Sequence, residues 1–147
     1  MTNEEIAYLA GIVDGEGCIG VFTRGGRADW CRPHLQLTNT DLSLLAWLQE
    51  RFDFGTVVWR VDRRDTRKPT WCWRVACDQA LMVIRLVYPY LVIKRPQADA
   101  ILRLAAAEHG RVQRGVLTAD VRAARVVCFE EIRRLNYRAV HRGKRVA

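Results

Sequence analysis

The chain has 147 residues, 50% of them hydrophobic and 27% charged, a composition that fits one soluble globular domain with its own core and excludes the disordered class. Its apolar runs are too short to span a bilayer and its start, MTNEEIAYLA, is acidic, so neither a membrane helix nor a secretory leader is expected and the protein is expected to work in the cytoplasm. The net charge of +8 points to a polyanionic partner, nucleic acid before membrane; because Lys68, Lys94 and Lys144 are the only lysines, an arginine-favouring GC-rich genome is the other source of the same bias.

Thr2 or Asn3 can cap a first helix, with Glu5 as the second half of a capping box, and this helix reaches Gly15 or Gly17. CIGVFTR alternates as a strand, GGRAD turns, and WCRPHLQLTN returns, so residues 18–39 read as a hairpin. A second helix follows a Thr40 or Asp41 cap and places Leu44, Leu45, Leu48 and Phe52 at helical spacing. TVVWRV and TWCWRVAC form a second hairpin around DRRDTRKP, whose Arg63, Arg64, Arg67 and Lys68 are either phosphate clamps or a solvated charge run. DQALMVIRLVYPYLV is a third helix stopped near Pro89; two more follow, one with Pro96 in its first turn and one capped by Thr118. No linker divides this order, so residues 1–136 form one mixed α+β domain and residues 137–147 a basic tail.

The five cysteines, Cys18, Cys31, Cys72, Cys77 and Cys128, are odd in number and lack paired C-x-x-C spacing, which reads as reduced thiols rather than zinc ligands. His34, His109 and His141 show no ligand spacing either.

Two features of the first helix ask for an explanation. Tyr8, Gly11, Ile12 and Gly15 share one face and Leu9, Ala10 and Val13 another, so both sides are apolar or small. Gly11-x-x-x-Gly15 lets two backbones come close, either between two copies of the chain or within one. The helix also ends on Asp14 and Glu16, although its C-terminal end carries partial negative charge and attracts cations.

LAGIVDGEG, residues 9–17, resembles the defining motif of the LAGLIDADG homing endonucleases at Leu9, Ala10, Gly11, Asp14 and Gly17, with Glu16 in place of the second acid. The resemblance extends through the helix and hairpin order, YPYLVIKRPQA and IRRLN, and so covers most of residues 4–136. It implies the αββαββα fold of that family, with a saddle-shaped antiparallel sheet and C-terminal helices. A single copy of the motif implies a homodimer joined through Tyr8, Gly11, Ile12 and Gly15, and a pseudo-palindromic target.

Carried over residue by residue, the resemblance makes Glu16 the metal-binding acid, the Gly15 carbonyl a backbone ligand, Asn39 the polar group that positions the attacking water, and Lys94 the cation that stabilises charge on the phosphate. Glutamate for aspartate keeps the charge but moves the metal, and asparagine is shorter than the glutamine frequent in relatives. Asp14 is a weaker candidate that can equally bond nearby backbone, and Gln97 a supporting one. The implied cofactor is Mg²⁺, two or more ions per dimer, with Mn²⁺ as a substitute.

Alternation along the strands then assigns a DNA face: Arg24 from the first strand, Arg32, His34 and Gln36 from the second, with Arg60 and Arg74 extending it and Trp71, Trp73 and Val75 turned to the core. The expected protein is a site-specific endonuclease that cuts double-stranded DNA, leaves short 3′ overhangs and spreads a mobile intron or similar element. Its expected setting is the nucleoid of a bacterial, archaeal or phage host, with no membrane. The alternatives within the same family are an intron RNA maturase and a DNA-binding regulator that does not cleave.

Overall fold

The computed structural model describes residues 1–60, 69–109 and 117–141, the stretch 138–141 as backbone only. The arginine-rich loop with Arg63, Arg64, Arg67 and Lys68, and the chain from residue 142 onward, lie outside the described residues.

Helix α1 (Asn3–Glu16) begins at the expected box: Thr2 Oγ1 accepts the Glu5 N–H at 3.3 Å, and Glu5 Oε2 accepts the Thr2 N–H at 2.9 Å. It passes directly into strand β1 (Gly17–Arg24), which returns as β2 (Arg27–Asn39). The turn is tighter than GGRAD suggested. Gly25 and Gly26 take φ of 60° and 74°, the left-handed pair that a two-residue hairpin turn requires, so β2 starts at Arg27 instead of Trp30.

Helix α2 (Leu42–Phe52) is capped by Asp41, whose carboxylate accepts the Ser43 N–H at 2.9 Å. Strands β3 (Thr56–Arg60) and β4 (Thr70–Ala76) follow, then α3 (Cys77–Val87), a single 3₁₀ turn over Tyr88–Tyr90 that contains Pro89, α4 (Arg95–Glu108) and α5 (Ala119–His141). Thr118 starts α5, accepting the Val121 N–H at 3.4 Å. The helix runs on past Asn136, so the segment read as a tail begins as helix.

The four strands form one open antiparallel sheet in the order β1-β2-β4-β3. Pro33 lies within β2, the strand between β1 and β4, yet β4 pairs with β2 only from His34 onward, so at Pro33 the strand is an edge and can spare an N–H. One sheet face carries Ile19, Leu35, Leu37, Trp73 and Val75, all buried against Leu9 and Val13 of α1, Ala80 and Ile84 of α3, Ile101 of α4 and Cys128 of α5. A buried cation joins the last two helices: Arg125, 0% exposed, donates from Nε to Glu108 Oε1 at 2.6 Å. All five cysteines are free thiols; burial pushes Cys31 up to about 11 and Cys128 up to about 12.

Candidate functional site

The two acids at the end of α1 have different surroundings. Asp14 Oδ2 accepts the Val92 N–H and Oδ1 the Lys94 N–H, each at 2.8 Å, while Lys94 Nζ donates to the Asp14 carbonyl at 2.5 Å. The last turn of α1 has no basic residue of its own, so the cation that its dipole calls for comes from the segment before α4. Asp14 thereby holds the Lys94 segment against the helix end through the backbone bonds that were one of its two expected roles. Glu16 is exposed and makes no hydrogen bond or ion pair among the described residues.

Lys94 occupies the position just before α4, where the N-terminal end of that helix meets the C-terminal end of α1. Its charge is also felt at Cys18 on β1, whose thiol burial pushes up and Lys94 pulls down. Gln97, in the first turn of α4, donates to Asn136 Oδ1 at 3.4 Å, and Asn136 donates to the Ile19 carbonyl at 3.2 Å, tying α4 and α5 to β1. Beside them Arg95 lies over the Tyr88 ring, 4.6 Å from its centre, and the Tyr88 hydroxyl donates to Asp99 at 2.6 Å.

Asn39 lies two residues beyond Leu37, the partner of Gly17, and bonds toward α2. Its Oδ1 accepts the Asp41 N–H at 2.9 Å, which helps the chain enter α2, and the residue lines a groove of about 690 Å³ with Tyr8, Leu44 and Trp47. Among the described residues no cluster of three or more His, Cys, Asp or Glu side chains gathers anywhere. At the end of α1, among the described residues, Glu16 is the carboxylate left without a partner, with backbone oxygen beside it. Of the neighbouring carbonyls, that of Val13 takes the Gly17 N–H and that of Asp14 takes Lys94, which leaves Gly15 next to Glu16.

On the sheet, register places Gly20 opposite His34, Cys18 opposite Gln36, Gln36 opposite Arg74, and Thr56 opposite Arg74. His34, Gln36, Arg74 and Thr56 lie on the face opposite the buried core set, and His34 with Gly20 also borders a hollow beside α5. His34, Gln36, Arg60 and Arg74 line one concavity of about 570 Å³, together with Phe22, Thr56 and Val58. Arg24 belongs to a separate hollow near the hairpin turn with Arg27 and Trp30, and Arg32 lies opposite Phe22 between the two. Trp73 and Val75 are buried on the other face as expected, and Trp71 is half-buried there, its ring 5.2 Å from that of Trp59. Burial, with the Arg74 charge adding to it, holds the His34 imidazole below its ordinary value and so in the neutral form. Thr56 and Val58 were missed by the sequence reading, although the β3 alternation that places Arg60 on this face places them there too.

The second face of α1 is open. Tyr8 is 60% exposed and packs edge-on against Trp47 at 5.7 Å, Ile12 is half-buried, and a methyl group built on Gly11 or Gly15 meets nothing within 4 Å. Among the described residues, then, no helix of the same chain closes on the two glycines. Beside them the clamp on Asp14 displays Val92 and Ile93 to solvent.

No family model and no curated protein matches the sequence. Solved structures do. The chain superposes on the homing endonuclease I-CvuI in complex with its DNA target in the presence of Ca, with TM-score 0.68, 22% identity, and coverage of 90% of this chain and 82% of that one. It superposes on the homing endonuclease I-TnaI with TM-score 0.63 and 18% identity over 90% of this chain and 96% of that one. The archaeal intron-encoded I-Vdi141I, complexed with DNA, gives TM-score 0.58 and 12% identity over 92% and 98%. The chain thus has the LAGLIDADG homing-endonuclease fold, a four-stranded open sheet under helices. No helix among the described residues is long and apolar enough to cross a membrane.

Proposed function

We propose that this protein is a divalent-metal-dependent endonuclease that cuts both strands of DNA at a specific site, working as a homodimer. The observation that carries the reading is the division of labour at the end of α1, where Asp14 spends its carboxylate on its own chain and Glu16, two residues on, is left exposed and unpaired. Lys94 answers the helix dipole, but the Glu16 carboxylate has no cation of its own among the described residues, and a bound divalent ion would offset its repulsion at that end.

Glu16 and the Gly15 carbonyl would hold Mg²⁺ or Mn²⁺, a donor set small enough to need phosphate, water and a second subunit to complete it. When bound, the metal supplies a more acidic water and neutralises charge on the departing oxygen. Lys94, fixed by Asp14, holds its ammonium where the phosphate gains negative charge. Asn39 has its oxygen committed to the Asp41 N–H, which leaves its amide nitrogen to orient a water. The concave face with Gln36, Arg60 and Arg74 takes the duplex, and Arg24 and Arg32 extend that track toward the hairpin turn. Two copies meeting through Tyr8, Gly11, Ile12 and Gly15 bring their Glu16 carboxylates together, one for each strand, and impose a pseudo-palindromic target.

The test maps DNA ends released from a randomised duplex library with Mg²⁺ and again with Mn²⁺, for the natural chain and for Glu16→Gln. Staggered breaks at one pseudo-palindromic sequence, falling by at least about a hundredfold in the variant, are the expected result. Tight binding without breaks in either protein would overturn the nuclease and leave a non-cleaving binder or an RNA maturase of the same fold.

A further inference from the structure

On the open sheet face one bulky ring stands between the two smallest possible neighbours. His34 lies opposite Gly20 on β1 and opposite Ala76 on β4, so neither adjacent strand fills the space beside it. The ring settles over Gly20. A methyl group built there would sit 2.9 Å from His34 Cε1 and 3.3 Å from Nε2, close enough that the ring must shift. Phe22 flanks the imidazole at 6.4 Å, and His34 reaches both the central concavity and a smaller hollow lined by Ile132, Arg133 and Asn136 of α5.

Its two nitrogens differ. Nδ1 is buried and has no hydrogen-bond partner, so a proton there would be a buried donor without an acceptor. The proton therefore belongs on Nε2, which is not among the buried unpartnered atoms. A charged ring would bury an unpaired N–H close to the Arg74 cation, which burial and charge both oppose.

We infer that Gly20 and His34 act as one specificity unit: Gly20 is the socket that fixes the imidazole, and His34 Nε2–H reads a hydrogen-bond acceptor on a base edge at one position in each half-site. In the major groove guanine, adenine and thymine offer such acceptors, while the cytosine edge offers the N4 amino donor and is the base that the unit rejects. This rests on the proposed DNA-cleaving function and adds a residue, Gly20, that touches no DNA in this reading yet decides what its neighbour reads.

The test compares the selected target sequences of the natural chain, Gly20→Ala, His34→Ala and His34→Gln, each taken from the same randomised library. Expected is loss of discrimination against cytosine, on the order of tenfold, at a single symmetric pair of positions in both Gly20→Ala and His34→Ala, with the other positions unchanged. His34→Gln, which keeps an N–H donor, should restore part of it. A structural role alone would weaken every position together. If the natural chain selects a site and His34→Ala selects the same one with the same stringency, the unit is overturned while the nuclease stands; if the natural chain selects no site, both fall.

Discussion

Among the described residues the open face of the sheet and the open face of α1 are both uncovered, in opposite chemical ways. The sheet presents Gln36, Arg60, Arg74 and a neutral His34 around a concavity, whereas α1 presents Tyr8, Gly11, Ile12 and Gly15, with Val92 and Ile93 beside them. A polar, basic hollow is stable in water and attracts a polyanion. An apolar stripe with two glycines costs free energy while it is bare, a cost that the proposed second copy would relieve. Glu16, exposed, ends α1 just before β1 enters the sheet.

Breaking the helix face should have the largest effect. Gly11→Arg adds bulk and charge at a point where the described chain has no atoms within 4 Å, so the subunit should fold as before. It should sediment as a monomer and lose cleavage by at least about a hundredfold, since the two halves of the site no longer assemble. A dimeric Gly11→Arg protein with full activity would mean that the helix face is not the seam.

Loosening the end of α1 comes next. Asp14→Ala removes the acceptor for two N–H groups and should lower stability by about 2–3 kcal/mol, or roughly 5–10 °C in Tm, measured by thermal unfolding. Because Lys94 loses its anchor, the cleavage rate should fall with it. Asp14→Asn, which keeps one acceptor oxygen, should show a smaller loss of both.

The smallest effect sharpens the sheet side. The folded state holds His34 below the ordinary imidazole value, by burial first and Arg74 second, so in the pH window between the two values the unfolded chain binds the proton more tightly. The stability linked to this residue is fully present above the unfolded value, near 6.5, and is lost as pH falls from there through the folded value. The Tm of the natural chain should drop more steeply than that of His34→Ala between about pH 7.5 and pH 5; parallel curves would show that the ring is not held neutral.

Much of this was legible in the residues themselves. Period-two alternation put His34, Gln36 and Arg74 on one side of the sheet and Trp73 and Val75 on the other, because a pleated strand has only two sides and one of them must be dry. The capping box at Thr2 and the stop at Pro89 are local chemistry, and they were found where expected. The start of β2 was misplaced because the two glycines of the turn could be recognised, but not which of the following residues would pair.

By itself, then, the sequence determined the order of elements, the two faces of the sheet and the motif that ends α1, since each follows from local periodicity and capping. Only the tertiary structure decided what each marked residue does. It gave Asp14 to the backbone of Val92 and Lys94, committed the Asn39 oxygen to the entry of α2, and left Gly11 and Gly15 without a neighbour in the described chain. It also set Gly20 beneath His34, a pairing across two strands that no spacing along either one reveals. The physical reason is that a side chain's role depends on which groups compete for its hydrogen bonds and its space, and those competitors come from distant parts of the chain.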